Sequence, residues 1–137
     1  GIKYLCENTC WANIQQLDLQ NNNIGEQGAL YLSNSSQWAN LKSLNIQGNR
    51  INNQGVRYLS QYTSTWTSLQ SLNLDDNNIS SEGARYLSKN KSWTNLETLL
   101  LKNNYMNISD IAQISSNDAW KKLKSIGFFL IPSVPIR

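Results

Sequence analysis

Apolar residues along this chain fall into a frame that returns at a fixed interval. Leu69, Leu72 and Leu74 stand among polar residues and are followed by Asn77 and Ile79. The same order is read at Ile14, Leu17, Leu19, Asn22, Ile24, at Leu41, Leu44, Ile46, Asn49, Ile51, and at Leu96, Leu99, Leu101, Asn104, Met106. A last copy starts at Leu123, continues through Ile126 and Phe128, and then loses the pattern. The leading positions are 27, 28, 27 and 27 residues apart, which is a repeat period. Apolar residues two apart, such as Leu72 and Leu74, with polar Ser71, Asn73 and Asp75 around them, predict a short strand with one buried and one wet face. Gly25, Asn52, Ser80 and Asn107 then occupy a place suited to starting a helix. After it, Gly28-Ala29 with Leu32, Gly55-Val56 with Leu59, and Gly83-Ala84 with Leu87 predict the apolar face of a short helix. In the fourth copy Asp110 replaces the glycine, while Ile111 and Ile114 keep the apolar pair, so a helix is expected there too. The glycine itself reads as close packing of the helix backbone on the sheet layer.

Strand, turn and helix repeated in register make a parallel sheet, because each strand reaches the next through a helical crossover. A helix is wider than the ~4.8 Å between strands, so stacked units splay on the helical side. The expected fold is an α/β solenoid, a horseshoe with a parallel β-sheet on its concave face and helices on its convex face. Residues 1–137 are expected to form one domain of about four and a half repeats starting near 14, 41, 69, 96 and 123. Gly1 to Leu5 aligns with Gly28 to Leu32, so the chain opens within a repeat and reads as a segment of a longer array.

The unit Leu-x-x-Leu-x-Leu-x-x-Asn-x-Ile followed by Gly-x-x-x-Leu resembles a leucine-rich repeat of the ribonuclease-inhibitor-like subclass, from Gly1 to about Phe128. The resemblance implies the horseshoe and a protein-binding scaffold, a role that relatives fill in inhibitors, immune sensors, ubiquitin-ligase receptors, GTPase activators and pathogen effectors. Two features depart from the usual unit: a Tyr before the helix leucine and a Trp before each strand.

Composition narrows the chemistry. Lys and Arg number 12 against 9 Asp and Glu, scattered along the chain, and the net charge of +3 points to no anionic partner. No apolar run approaches the ~20 residues of a membrane helix, and no signal-peptide pattern opens the chain. The expectation is a cytoplasmic protein, with a secreted or host-translocated effector as the alternative. Histidine is absent, which removes the commonest general base. Asp18, Asp75 and Glu97 fall on different strands, no glycine-rich phosphate loop is present, and neither a catalytic residue nor a cofactor or metal is expected. Cys6 and Cys10, placed four apart on the first helix, are expected to be free thiols, since a metal site needs more ligands and a disulfide at that spacing on a helix has poor geometry. Asn-x-Ser sequences at Asn34, Asn78, Asn90 and Asn107 are what a chain rich in Asn and Ser contains by chance.

Residues fixed in every repeat read as frame. Asn22, Asn49, Asn77 and Asn104 are expected to bond backbone groups in their own and neighbouring turns. Trp11, Trp38, Trp66, Trp93 and Trp120 are expected to stack in a row over one end of the core, in preference to serving as aromatic platforms for sugar or single-stranded nucleic acid. Tyr4, Tyr31, Tyr58 and Tyr86 read as part-buried helix packing with a wet hydroxyl.

What the frame leaves variable is the outward side of the strands. Its three rows read Gln16, Ser43, Ser71, Thr98, Ser125; Asp18, Asn45, Asn73, Leu100, Gly127; and Gln20, Gln47, Asp75, Lys102, Phe129. Cross-strand pairs Asp75 with Lys102 and Glu97 with Lys124 are expected on or beside it. Varied side chains on a rigid sheet suit recognition. The candidate partner-binding residues are Gln16, Asp18, Gln20, Asn45, Gln47, Asn73, Asp75, Leu100, Lys102 and Phe129, and the expected partner is another protein, with neither nucleic acid nor membrane involved and the oligomeric state left open. Leu100 and Phe129, an apolar pair beside Lys102, have the make-up of a hot spot. The alternative is a structural spacer whose sheet face is inert. From Phe129 to Arg137, Pro132 and Pro135 forbid both helix and regular pairing, and the stretch is expected to run as an irregular cap on the last repeat.

Overall fold

A computed structural model describes residues 1–62 and 65–128. Among the described residues five α-helices and five strands alternate: α1 (Ile2–Glu7), β1 (Gln16–Asp18), α2 (Gly25–Asn34), β2 (Ser43–Asn45), α3 (Asn52–Tyr62), β3 (Ser71–Asn73), α4 (Ser81–Ser88), β4 (Thr98–Leu100), α5 (Ile108–Ser115) and β5 (Ser125–Gly127). All pairings between successive strands are parallel, in the order β1-β2-β3-β4-β5. Leu17, Leu44, Leu72, Leu99 and Ile126 pair in register, one repeat apart, and therefore point to the same side. The molecule is an α/β solenoid, with the sheet on the concave side and helices on the convex side.

Core side chains come from every part of the unit. Leu41, Leu44, Ile46, Ile51, Val56 and Leu59 of the second repeat are fully buried, as are Leu69, Leu72, Leu74, Ile79, Ala84 and Leu87 of the third. Their equivalents Ile14, Leu17 and Leu19 in the first are only partly covered. Three of the five tryptophans expected in a row stack, Trp66, Trp93 and Trp120, with ring centroids 6.2 and 6.0 Å apart and interplanar angles of 18° and 12°. Trp38 is buried as well, whereas Trp11 at the first repeat is partly exposed.

The asparagine ladder is directional. Asn77 Oδ1 accepts from Asn49 N and Ile51 N at 3.0 and 3.1 Å, and its Nδ2 donates to Ile46 O and Asp75 O. Asn104 serves Asn77 N and Ile79 N in the same way, and Asn49 serves Asn22 N and Ile24 N. Each side chain therefore satisfies buried backbone in the repeat before it.

Several details correct the sequence reading. Gly28, Gly55 and Gly83 are small because a Cβ there would meet Cγ2 of the turn isoleucine of the same repeat, Ile24, Ile51 or Ile79, at 2.2 to 2.5 Å; at Gly83 it would also meet Asn53 Oδ1 of the preceding helix at 2.7 Å. The crowding comes from the turn and the neighbouring helix, not from the sheet. Asp110 tolerates the glycine place by another route: it closes a capping box with Asn107 and accepts from Ser81 Oγ. Gly25 and Asn52 open their helices with φ of +68° and +57°, outside the helical range. Asn52 caps α3 as expected, accepting from Gln54 N and Gly55 N, while Gly25 has no side chain to do so. Ser80 caps nothing with its own hydroxyl; Asn53 of the preceding repeat accepts from Ser80 N and Gly83 N instead. Cys10 sits on a separate 3-10 turn, Thr9–Trp11, because Asn8 is extended and ends α1. Tyr4 is 75 % exposed, not part-buried.

Candidate partner-binding face

The three outward rows of the sheet are assembled as registered ladders. Gln16, Ser43, Ser71, Thr98 and Ser125 pair one to the next, and so do Asp18, Asn45, Asn73, Leu100 and Gly127. Gln16, Asp18 and Gln20 are exposed, while Asn45, Gln47, Asn73, Asp75, Leu100 and Lys102 are half-buried. Phe129 and the proposed C-terminal cap lie outside the described residues.

Much of this polar row also serves the backbone. Asp18, Asn45 and Asn73 each accept from the N–H two residues on, at Gln20, Gln47 and Asp75. Such a bond lets a short polar side chain satisfy the end of a strand. Leu100 has no acceptor, and in its repeat Lys102 N donates across to Asp75 Oδ1 at 2.7 Å. The expected Asp75 and Lys102 pairing is thus carried by the lysine's backbone. Above these bonds, Asn45 Nδ2 donates to Gln20 Oε1 and Asn73 Nδ2 to Gln47 Oε1, both at 3.4 Å, while Gln47 Nε2 reaches Asp76 Oδ2. Burial pushes the Asp75 carboxyl upward, an effect opposed by the Lys102 N–H and charge and reinforced by Asp76. Glu97 and Lys124 form the expected surface ion pair at 3.4 Å.

Leu100 is seated by a neighbour. A Cβ at Gly127 would meet Leu100 Cδ2 at 2.7 Å and Lys102 Cε at 3.6 Å. The end of the leucine side chain therefore lies over Gly127 of β5, with the stem of Lys102 close to the same spot.

The carboxylates Asp18, Asp75 and Glu97 stay on separate strands, and among the described residues no group of three His, Cys, Asp or Glu is placed to hold a metal. Cys6 is pushed up to about 11, by burial first and by Glu7 second. Among the described residues no helix is long and apolar enough to cross a membrane.

Sequence reasoning missed three features. Tyr105 and Ile108, 69 % and 67 % exposed, place two large apolar groups on the rim where the strands turn toward the helices; the signal was their departure from Asn78 and Ser81 at the same places one repeat earlier. A second asparagine ladder runs under the tryptophans. Asn90 Oδ1 accepts from Trp93 N and Trp120 Nε1, Asn90 Nδ2 donates to Ser60 O, and Asn117 Nδ2 donates to Leu87 O and Asn90 O. The role of Asn53 as a cap for the next helix is the third.

A family model for the leucine-rich repeat matches residues 12–33, 39–60 and 67–88. The chain is a leucine-rich repeat protein. Beyond the matched stretches, β4, α5 and β5 extend the repeat array in the same register. No curated protein matches this leucine-rich repeat chain. Among solved structures it is similar to leiomodin-1 actin-binding site 2, at 15 % sequence identity and a TM-score of 0.70, over 94 % of this chain and 78 % of that one. At that identity the likeness is one of fold.

Proposed function

We propose that this leucine-rich repeat chain is a protein-binding scaffold of the ribonuclease-inhibitor-like kind that recognises its partner through the concave sheet face. Residues 1–137 act as one domain in this reading, and no catalysis, nucleic acid or membrane enters it. The observation that carries it is the half-buried Leu100, held over Gly127 among polar neighbours on the solvent side of the sheet. Core packing does not require that side chain, since Asp18, Asn45 and Asn73 fill the same row without apolar contact. An apolar anchor within a polar rim is the arrangement that concentrates binding energy at interfaces. The solved neighbour is named for an actin-binding site, which makes actin a reasonable first probe. The double change Leu100→Ala with Lys102→Glu is expected to weaken a bound partner by about 2 kcal/mol or more while the melting temperature stays within a few degrees. A partner that tolerates this change and is lost on altering Arg57 and Arg85, on the helical side, sinks the proposal.

A further inference from the structure

The rim between strands and helices offers an internal control that few surfaces have: the same position occurs four times. Asn21, Gly48, Asp76 and Asn103 share one place, and all four have positive φ, a conformation that glycine and asparagine adopt readily. Asn23, Arg50, Asn78 and Tyr105 share a second, and Glu26, Asn53, Ser81 and Ile108 a third. The fold accepts small or polar groups at all three places. In the fourth repeat the second and third become tyrosine and isoleucine, both more than two-thirds exposed. Tyr105 is fixed by its backbone, whose N–H donates to Ile79 O and whose strand bridges Ser80, and Ile108 opens a helix held by the Asn107–Asp110 capping box. Two large apolar side chains are thus displayed to solvent in the repeat that carries Leu100 on β4.

We propose that Leu100, Tyr105 and Ile108, flanked by Asp75 and Asp76, form a docking strip for a segment of a partner protein that carries apolar side chains next to an arginine or lysine. The inference rests on the scaffold reading above and extends its site from the sheet over the rim. The charge of the partner segment follows from the flank: Asp76 is exposed, Asp75 is half-buried, and the Lys102 charge acts on Asp75. A carboxylate that burial has partly desolvated gains from an incoming cation, and an arginine beside a tyrosine ring adds a cation–π contact.

The test uses substitutions that the repeats themselves supply. Tyr105→Asn and Ile108→Ser install the residues of the third repeat, and Asp76→Asn installs the residue found at Asn103; the fold has a precedent for the last two, whereas Asn78 holds a positive φ that Tyr105 does not. The full chain is used to select from a random peptide display library, and enriched peptides are titrated by fluorescence polarisation. The expected result is enrichment of Leu, Ile or aromatic residues next to Arg or Lys. Affinity should fall about tenfold or more in the Tyr105→Asn/Ile108→Ser variant. It should fall roughly threefold in Asp76→Asn, a loss that shrinks as salt is added. Melting curves of all variants should overlay the parent. If binding survives the rim variant and is lost in Gln20→Ala/Gln47→Ala, the strip is overturned and the concave-face reading stands. If binding is lost only in Arg57→Ala/Arg85→Ala, or no peptide family is enriched, both fall. Enrichment of acidic peptides overturns the assigned charge of the partner.

Discussion

Asn77 makes four hydrogen bonds to backbone from inside the core, two as acceptor and two as donor. Asn77→Ala takes the partner from Asn49 N, Ile51 N and Ile46 O, while Asp75 O keeps the bond from Gly48 N, and is expected to destabilise the protein by roughly 1–3 kcal/mol in denaturant melts. Asn22→Ala is expected to have a smaller effect, because Asn22 is exposed and its side chain only donates, to Leu19 O and Gln20 O. Asp75 behaves in the opposite sense. Burial raises its pKa in the folded state above the unfolded value, so between the two values the folded protein holds a proton that the unfolded chain has released. Stability contributed by that proton is present at acid pH and lost as pH rises through the folded pKa. Asp75→Asn keeps an oxygen for Lys102 N and removes the charge. It is therefore expected to be more stable than the parent at neutral pH, with the gap closing below about pH 4, where the unfolded carboxylate also protonates. Chemical denaturation across that range checks it; a gap that widens toward acid would refute the assigned direction.

At the scale of elements, the ladder under the tryptophans shows why part of the architecture was legible and part was not. The leucine, asparagine and tryptophan places carry the same residue in copy after copy, so their spacing exposes strand, turn and helix at once. At the places equivalent to Asn90 and Asn117 the sequence has Asn8, Ser35 and Thr63, and the short hydroxyl residues in the middle hide the pattern. Tyr105 and Ile108 escaped notice for a related reason: pattern reading rewards agreement between copies, while they are departures from it. Caps lent across repeats, such as Asn53 to α4, are contacts between residues far apart in sequence and leave no local signature. The gap in the second ladder is itself testable. Trp120 Nε1 donates to Asn90, but Trp66 Nε1 is buried without a partner, and Ser35 holds the place equivalent to Asn90 one repeat before it. Ser35→Asn brings an amide oxygen to that indole and is expected to stabilise by about 1 kcal/mol, the net worth of a typical buried hydrogen bond. Thermal and denaturant midpoints that fail to rise would show that the loop cannot seat the longer side chain.

Across the whole molecule, contacts between helices run from each to the next, α1 to α2 through α4 to α5, so stability is assembled from nearest neighbours as in other repeat arrays. Burial is uneven along that line: Leu17 and Leu19 are half-covered, while Leu72 and Leu74 are sealed. Amide hydrogen exchange is expected to be faster at Leu19 N, bonded to Asn45 O, than at Leu74 N, bonded to Leu100 O, although the two bonds are equivalent in the repeat and both measure 2.8 Å. Equal protection at the two sites would mean that the stack opens only as a whole. The directional asparagine ladder has a bearing on how such an array is taken apart and rebuilt. Because Asn49 completes the turn of the repeat that contains Asn22, and Asn77 that of the repeat containing Asn49, the unit of sequence and the unit of bonding are offset by one turn. A cassette excised at the leading leucine would leave its own turn open and carry away its predecessor's closure. Grafts that respect the offset, with the donor asparagine travelling alongside the turn it completes, are the ones whose seams will hold.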